Sequence, residues 1–253
     1  MKIKIFFKPV QKISESTTEE MWSLYKKYYS YSETYFRERI HARNTHFAFF
    51  YRGEQLVGFT GLRINRLRVQ GRKVLLLYFG QAVMEKAYRG KNLFRRMSIK
   101  VGWQYLKDIL FSEGYCWCDA VSFKSYMFFA KGMADMYPSY KAETPPVEQE
   151  IINHIGQTFY PETFCPNTGI VRKEENFVTD PTAQVKEEYL QEPNIQFYAK
   201  ANPGYSKGDG LLTICPMSLK NLFHLIWHML RLRRPSRKFQ QKLTRPLKWL
   251  AVR

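Results

Sequence analysis

Apolar and polar positions alternate over Lys2–Phe7 (KIKIFF), the period of a half-buried strand. The rhythm then changes. Ser16 with Glu19 three residues on has the form of a capping box, and apolar or aromatic residues at 21/22, 25, 28/29, 35/36 and 40 mark a helical stripe broken once near Tyr31. Its tyrosines either line a pocket or pack as an ordinary helix face. From His46 to Met84 the pattern is that of strands: HFAFFY turns at Arg52-Gly53-Glu54 into QLVGFTGLRINRLRV, which turns at Gln70-Gly71 into RKVLLLYFGQAVM. Two short glycine-containing turns between β-rich runs predict a three-stranded antiparallel meander. Leu93, Phe94, Met97, Val101, Tyr105, Ile109 and Leu110 then recur at helical spacing. YCWCDAV (Tyr115–Val121) reads as a strand and SFKSYMFFAKGM as a short helix closed by Gly132. From Val147 to Glu192 two helices are expected. IQFYAKANP and GDGLLTICPM read as two late strands joined around Gly204–Gly210.

Between the meander and the long helical pattern lies AYRGKNLFRRM, Ala87 to Met97. A loop glycine lets backbone approach a ligand, and the first N–H groups of a helix are unpaired donors at the positive end of its dipole. Arg89, Lys91, Arg95 and Arg96 add charge. Such a strand–turn–helix junction suits a phosphate group.

With this turn placed after the third strand of the meander, the first 140 residues resemble the GNAT superfamily of acyl-CoA-dependent acyltransferases. The family phrase (Gln/Arg)-x-x-Gly-x-(Gly/Ala), commonly within YRGKG, is matched by Tyr88-Arg89-Gly90-Lys91-Asn92-Leu93-Phe94. Asn92 stands for the second glycine and Phe94 for the usual Gly or Ala. The resemblance implies an α/β (α+β) fold with a mixed, mostly antiparallel central sheet and flanking helices, over a domain of residues 1–217. Its core would be 1–140 and 195–217, with 142–192 as an insertion or small lobe. It implies acetyl-CoA or another acyl-CoA as co-substrate, with Arg89, Gly90, Lys91, Asn92, Leu93 and Phe94 around the pyrophosphate and the backbone of Ala82, Val83 and Met84 along the pantetheine arm. The acyl group, acetyl by default and long-chain as the variant, would pass directly to an amine of a small molecule, peptide or protein. Glu85 is the nearest carboxylate for a base. Phe128 occupies the family position of the proton-donating tyrosine, and Tyr126 is the closest substitute. The departures leave open a GNAT-shaped binding protein without catalysis, attached to anionic membrane or nucleic acid by a basic tail at 218–253.

Composition changes the picture mainly at the C-terminus. The net charge is +18, and residues 218–253 hold ten Lys/Arg and no Asp or Glu. Leu219, Leu222, Phe223, Ile226, Met229 and Leu230 form an apolar arc opposite Lys220, His224, His228 and Arg231; Leu243, Leu247, Trp249 and Leu250 form a second patch. A basic amphipathic helix of this kind suits an anionic membrane surface or docks on the body. Nucleic acid is not expected as a partner, because no recognised module accompanies the charge. No metal is expected, since His224 and His228 lack further ligands in sequence. Four cysteines without a disulfide framework, no signal-peptide pattern and no apolar run of membrane-spanning length predict a cytoplasmic protein, peripheral at the inner face of a membrane if the tail binds lipid.

Overall fold

The structure, a computed structural model, describes residues 2–173 and 178–233. Strand β1 (Ile3–Pro9) is followed by helices α1 (Glu15–Tyr25) and α2 (Glu33–Arg43), then by β2 (His46–Arg52), β3 (Gln55–Val69) and β4 (Arg72–Met84). Next come α3 (Leu93–Gln104), α4 (Leu106–Phe111), β5 (Glu113–Ala120) and α5 (Phe123–Gly132). The remainder is α6 (Pro146–Phe159), β6 (Phe164–Cys165), β7 (Ile170–Val171), α7 (Pro193–Ala201), β8 (Gly210–Pro216) and α8 (Leu219–Arg233).

All eight strands among the described residues join one sheet in the order β1-β2-β3-β4-β5-β8-β7-β6. Every neighbouring pair is antiparallel except β4 and β5. The meander and both of its turns lie where the alternation and the glycines put them. Tight turns at Gly53 (φ 63°) and at Gln70-Gly71 (φ 47° and 78°) supply the left-handed backbone that such hairpins need. Phe47, Phe49 and Phe59 face α1 and α2, while Trp117, Leu212 and Ile214 face α6. Ala48, Phe50, Leu75, Leu77, Cys116 and Cys118 face the opposite layer, which holds α3, α5 and α7.

Four expectations are corrected. The first helix is capped by Ser14, whose hydroxyl accepts from the Thr17 N–H, rather than by Ser16. The helix expected to run from Leu93 to Leu110 divides at Tyr105 (φ −105°), just past Gly102, the residue that loses most backbone entropy in a helix. IQFYAKANP lies in a helix, α7, and not in a strand: Pro193 takes the first turn, the Glu192 carboxylate accepts from the Asn194 N–H, and Asn194, Ile195 and Tyr198 turn inward at helical spacing. Of the two helices expected between 147 and 192, only α6 is an α-helix among the described residues. The rest of those described holds short 3-10 turns plus β6 and β7, which extend the main sheet through β7–β8 pairing.

Helix α6 packs closely on β6. A methyl group added at Gly156 would meet the Phe164 ring at 2.3 Å. Gly156→Ala gains about 1 kcal/mol of helix propensity but overpacks this contact at a cost of about 1–3 kcal/mol. The variant is therefore expected to be less stable than the wild type in urea unfolding, the reverse of an exposed helical glycine.

Helix α8 docks by one edge. The Asn221 side chain accepts from the Ala134 and Asp135 N–H groups at 2.8 Å, Leu225 is buried, and Lys220 pairs with Asp135 at 2.7 Å. Its other edge exposes Leu219, Phe223, Ile226 and Trp227. The second apolar patch expected at 243–250 lies outside the described residues. No helix among the described residues is long and apolar enough to cross a membrane.

Candidate functional site

The site begins where two strands part. β4 pairs with β5 only from Val74 to Tyr78, after which β5 pairs on with β8 alone and Phe79–Met84 has no partner on that side. A bulge sets the divergence: Gln81 and Ala82 together oppose Thr60 of β3, and Gln81 takes φ 45°. Asn44 at the end of α2 donates to Gln81 Oε1 at 2.5 Å and holds this geometry. Gln81 Nε2 is left buried with no acceptor, beside the gap.

A cavity of about 360 Å³ fills the gap. Tyr25, Tyr28, Tyr29 and Tyr31 wall it on one side, which settles the tyrosine stripe as pocket lining as well as packing. Tyr25 stacks on Tyr29 at 4.4 Å between ring centroids. Burial pushes the Tyr29 hydroxyl up to about 12, and this group donates to the Ala82 carbonyl at 3.4 Å. On the floor, Asp119 accepts from Tyr78 at 3.1 Å and from Lys173 at 3.2 Å. Burial alone would raise its carboxyl, but Lys173 foremost, then Arg39 and Arg43, hold it below the usual carboxylate range. The first turn of α5 adds Ser122 and Ser125.

A second cavity of about 370 Å³ adjoins the first and shares Met84, Arg89, Phe94, Lys124 and Phe128 with it. It lies over the RGKN turn. Gly90 (φ 75°) and Asn92 (φ 56°) are both left-handed, so Asn92 does what a second glycine would. The first backbone bond of α3 runs from Arg96 N–H to the Asn92 carbonyl. Among the described residues the N–H groups of Gly90 through Arg95 donate to no protein acceptor. Successive free N–H groups at a helix start form an anion nest. Arg89, Lys91, Arg95, Lys124 and Lys131 surround it, and among the described residues no carboxylate lines this cavity. Phe94 packs edge-on against Phe50 at 5.2 Å between centroids, so its ring is anchored in the core while one side borders both cavities.

The nine residues expected around the co-substrate, Ala82–Met84 and Arg89–Phe94, all line these two cavities. Two details differ from expectation. The Ala82 and Met84 carbonyls are already engaged, by Tyr29 and by Arg89 Nε, which leaves the unpaired side of the strand for a ligand. Arg89 is a strut as much as a ligand: it also reaches Asp180 at 2.5 Å and lies 4.5 Å over the Tyr28 ring. The two residues expected to move protons lie apart from both cavities. Glu85 is paired with Lys27 at 2.5 Å and Tyr28 at 3.1 Å, which hold its carboxyl low, Lys27 foremost. Tyr126 is buried and donates to the Pro138 carbonyl at 3.1 Å. Sequence reading missed Lys124 and Lys131, which with Phe128 share one helical face at i, i+4, i+7 and were legible as such. It also missed Gln81, Arg39, Asp119 and Lys173, which only the sheet brings together.

The five-stranded start, the bulged and splayed β4, and the anion nest at the β4–α3 turn follow the order expected from the resemblance. The chain's sheet and helix order is similar to that of the GNAT fold. No family model matches the sequence, and no curated protein does. Among solved structures it is similar to an acyl-CoA N-acyltransferase from Pseudomonas aeruginosa, at 16% identity over 47% of this chain and 80% of that one, with a TM-score of 0.36. It is also similar to a ribosomal-protein-alanine N-acetyltransferase from Brucella melitensis biovar Abortus, at 15% identity over 56% and 100%, with a TM-score of 0.39. An aminoglycoside 6'-N-acetyltransferase from Acinetobacter haemolyticus matches at 19% identity over 47% and 79%, with a TM-score of 0.34.

Proposed function

We propose that this GNAT-type chain transfers an acyl group from acyl-CoA to an amine. The observation that carries the reading is the pair of adjoining cavities, one floored by free N–H groups and cations, the other opening where β4 and β5 separate. In this reading the nest of Gly90–Arg95 with Lys124 and Lys131 holds the pyrophosphate, and the unpaired side of Phe79–Met84 with Gln81 Nε2 receives the amide-bearing arm. Burial lowers the Lys124 pKa, and its ammonium donates to the Thr182 hydroxyl with no carboxylate bonded to it, so an arriving phosphate would gain a ready partner.

Bound acyl-CoA supplies a thioester: the amine nitrogen forms a C–N bond to its carbonyl carbon, the C–S bond breaks, and the sulfur leaves as a thiol once protonated. Tyr29, protonated at neutral pH, is the hydroxyl assigned to that proton, with Ser125 on the other wall. Among the described residues no carboxylate in the cavity is available as a strong base, since Asp119 is held by Lys173 and Tyr78 and Asp180 by Arg89 and Thr182. The amine therefore reacts after losing one proton to water; a second N–H proton leaves the nitrogen through water as the C–N bond forms, Tyr29 regains from water the proton it gives to sulfur, and rate comes mainly from positioning.

The test is thiol release from acetyl-CoA and palmitoyl-CoA with a panel of amines. Transfer to any amine supports the reading; binding of CoA with no transfer would make the chain a binding protein of the same fold. In Lys124→Met/Lys131→Met, CoA affinity should fall about tenfold or more and its salt dependence should flatten, as two charge-assisted contacts are removed.

A second reading concerns α8. Leu219, Phe223, Ile226 and Trp227 are exposed along one edge, and the sequence from 218 onward carries only positive charge. These features favour attachment to an anionic membrane surface. Phe223→Glu/Trp227→Glu should abolish sedimentation with phosphatidylserine vesicles and leave CoA binding unchanged. Equal sedimentation of wild type and variant would end this reading.

A further inference from the structure

Arg39 is the group that the acyltransferase reading leaves without a task. It lines the cavity between the strands, yet nothing in the binding of acyl-CoA calls on it. Its Nη1 donates to the Tyr31 hydroxyl at 3.1 Å and the Tyr35 hydroxyl at 3.3 Å, and its carbon lies 5.2 and 5.3 Å from those two rings. Its Nε is sealed from solvent with no acceptor at all. A guanidinium stays charged at any ordinary pH, and burying one without a counterion is costly. Among the described residues no carboxylate lies within ion-pair reach of it.

The neighbouring carboxylates are spent elsewhere. Asp119 is bound by Lys173 and Tyr78, and Asp180 by Arg89. Among the described residues around the cavity floor, Arg39, Arg43 and Lys173 thus all act on the one carboxylate of Asp119. The walls beyond are tyrosine rings, and the space, about 360 Å³, must also admit the end of the acyl-bearing arm. What fits is small and negatively charged at one end, with an acceptor for a planar fork of donors.

We propose that the acceptor is a small amine that also carries a carboxylate, such as an amino acid, and that Arg39 receives the carboxylate. The amine part of this statement rests on the acyltransferase reading; the carboxylate part does not. Arg39 would then fix the far end of the acceptor while its nitrogen faces the gap at Met84. An amine lacking the carboxylate would leave the half-buried guanidinium without a counterion, which is the kind of defect that gives strong discrimination.

The test titrates the free protein by calorimetry with the proteinogenic L-amino acids, each matched with its own carboxamide, and with O-phosphoethanolamine. At least one amino acid should bind about tenfold or more tightly than its amide, as expected for loss of a charge-assisted contact. Arg39→Gln should bring that ratio to about one, and Arg39→Lys should retain part of it. A purely structural Arg39 would change the melting temperature of the variant and leave the ratio alone. Failure of every amino acid to bind, equal binding of acid and amide, tighter binding of the phosphate compound, or an unchanged ratio in Arg39→Gln would each overturn the proposal. Should Arg39→Gln not fold, the ratio in wild type and Arg39→Lys decides it. A wild type that binds no acyl-CoA would sink the transferase reading while the acid-to-amide ratio still judged Arg39. Acyl transfer without acid preference would sink only this inference.

Discussion

Gly90→Asp should weaken CoA binding about a hundredfold, roughly 3 kcal/mol, while leaving the protein folded. The reason lies in what surrounds that glycine. Its φ of 75° is a conformation that side chains rarely adopt, so a substitution costs about 1 kcal/mol of backbone strain. A Cβ placed there meets nothing within 4 Å, so no packing penalty adds to it. The new carboxylate would lie at the mouth of the free N–H groups of Gly90–Arg95, repelling a phosphate and competing for its donors. Gly90→Ala brings the strain without the charge and should lose only about tenfold in affinity. A melting temperature within a few degrees of wild type, with binding lost, separates ligand exclusion from unfolding. CoA affinity unchanged in the Asp variant would mean that the nest is not where the phosphates lie.

The second large effect is expected at the cavity floor. Asp119 and Lys173 are 9% and 17% exposed, so removing one strands the other. Asp119→Ala should destabilise the protein by about 3–5 kcal/mol, which for a chain of this size lowers the melting temperature on the order of 10 °C. Lys173→Met should behave similarly, and Asp119→Leu/Lys173→Met should recover most of the loss, because an apolar pair replaces both charges. The pH dependence has a definite sign. The carboxyl of Asp119 is depressed on folding, so its contribution is fully present above the ordinary unfolded value near ~4 and is lost as pH falls through the lower folded value. The stability gap between wild type and Asp119→Ala should be flat from about pH 5 to 8 and narrow below about pH 4. A double variant no better than the single ones would show that Tyr78 and the surrounding polar groups, not the ion pair, carry the energy.

The legible part of this molecule was the part written locally. Strand alternation from Lys2 to Met84 and the turn glycines at Gly53 and Gly71 specify the meander, because side-chain period and turn chemistry are properties of adjacent residues. The Gly90 nest was legible for the same reason. α7 was misread because IQFYAK has a strand-like composition, and the deciding residues, Glu192 and Pro193, lie just before it. The residues proposed to handle protons could not be read at all. Glu85 follows the strand end in sequence, but the 3-10 turn at Lys86–Tyr88 leaves it paired with Lys27 and Tyr28. Tyr29, Arg39, Asp119 and Lys173 come from four separate segments and meet only because β4 leaves β5 after Tyr78. Lys124 and Lys131 were within reach of sequence reasoning, as two cations one heptad apart on the helix after the last parallel strand.

The measurement that bears most directly on the central claim is a calorimetric titration of the full chain with CoA and with acetyl-CoA. The account predicts one site per chain, micromolar affinity that weakens with salt, and loss of that affinity in Gly90→Asp. No heat of binding with either compound, or binding indifferent to Gly90→Asp, would contradict it.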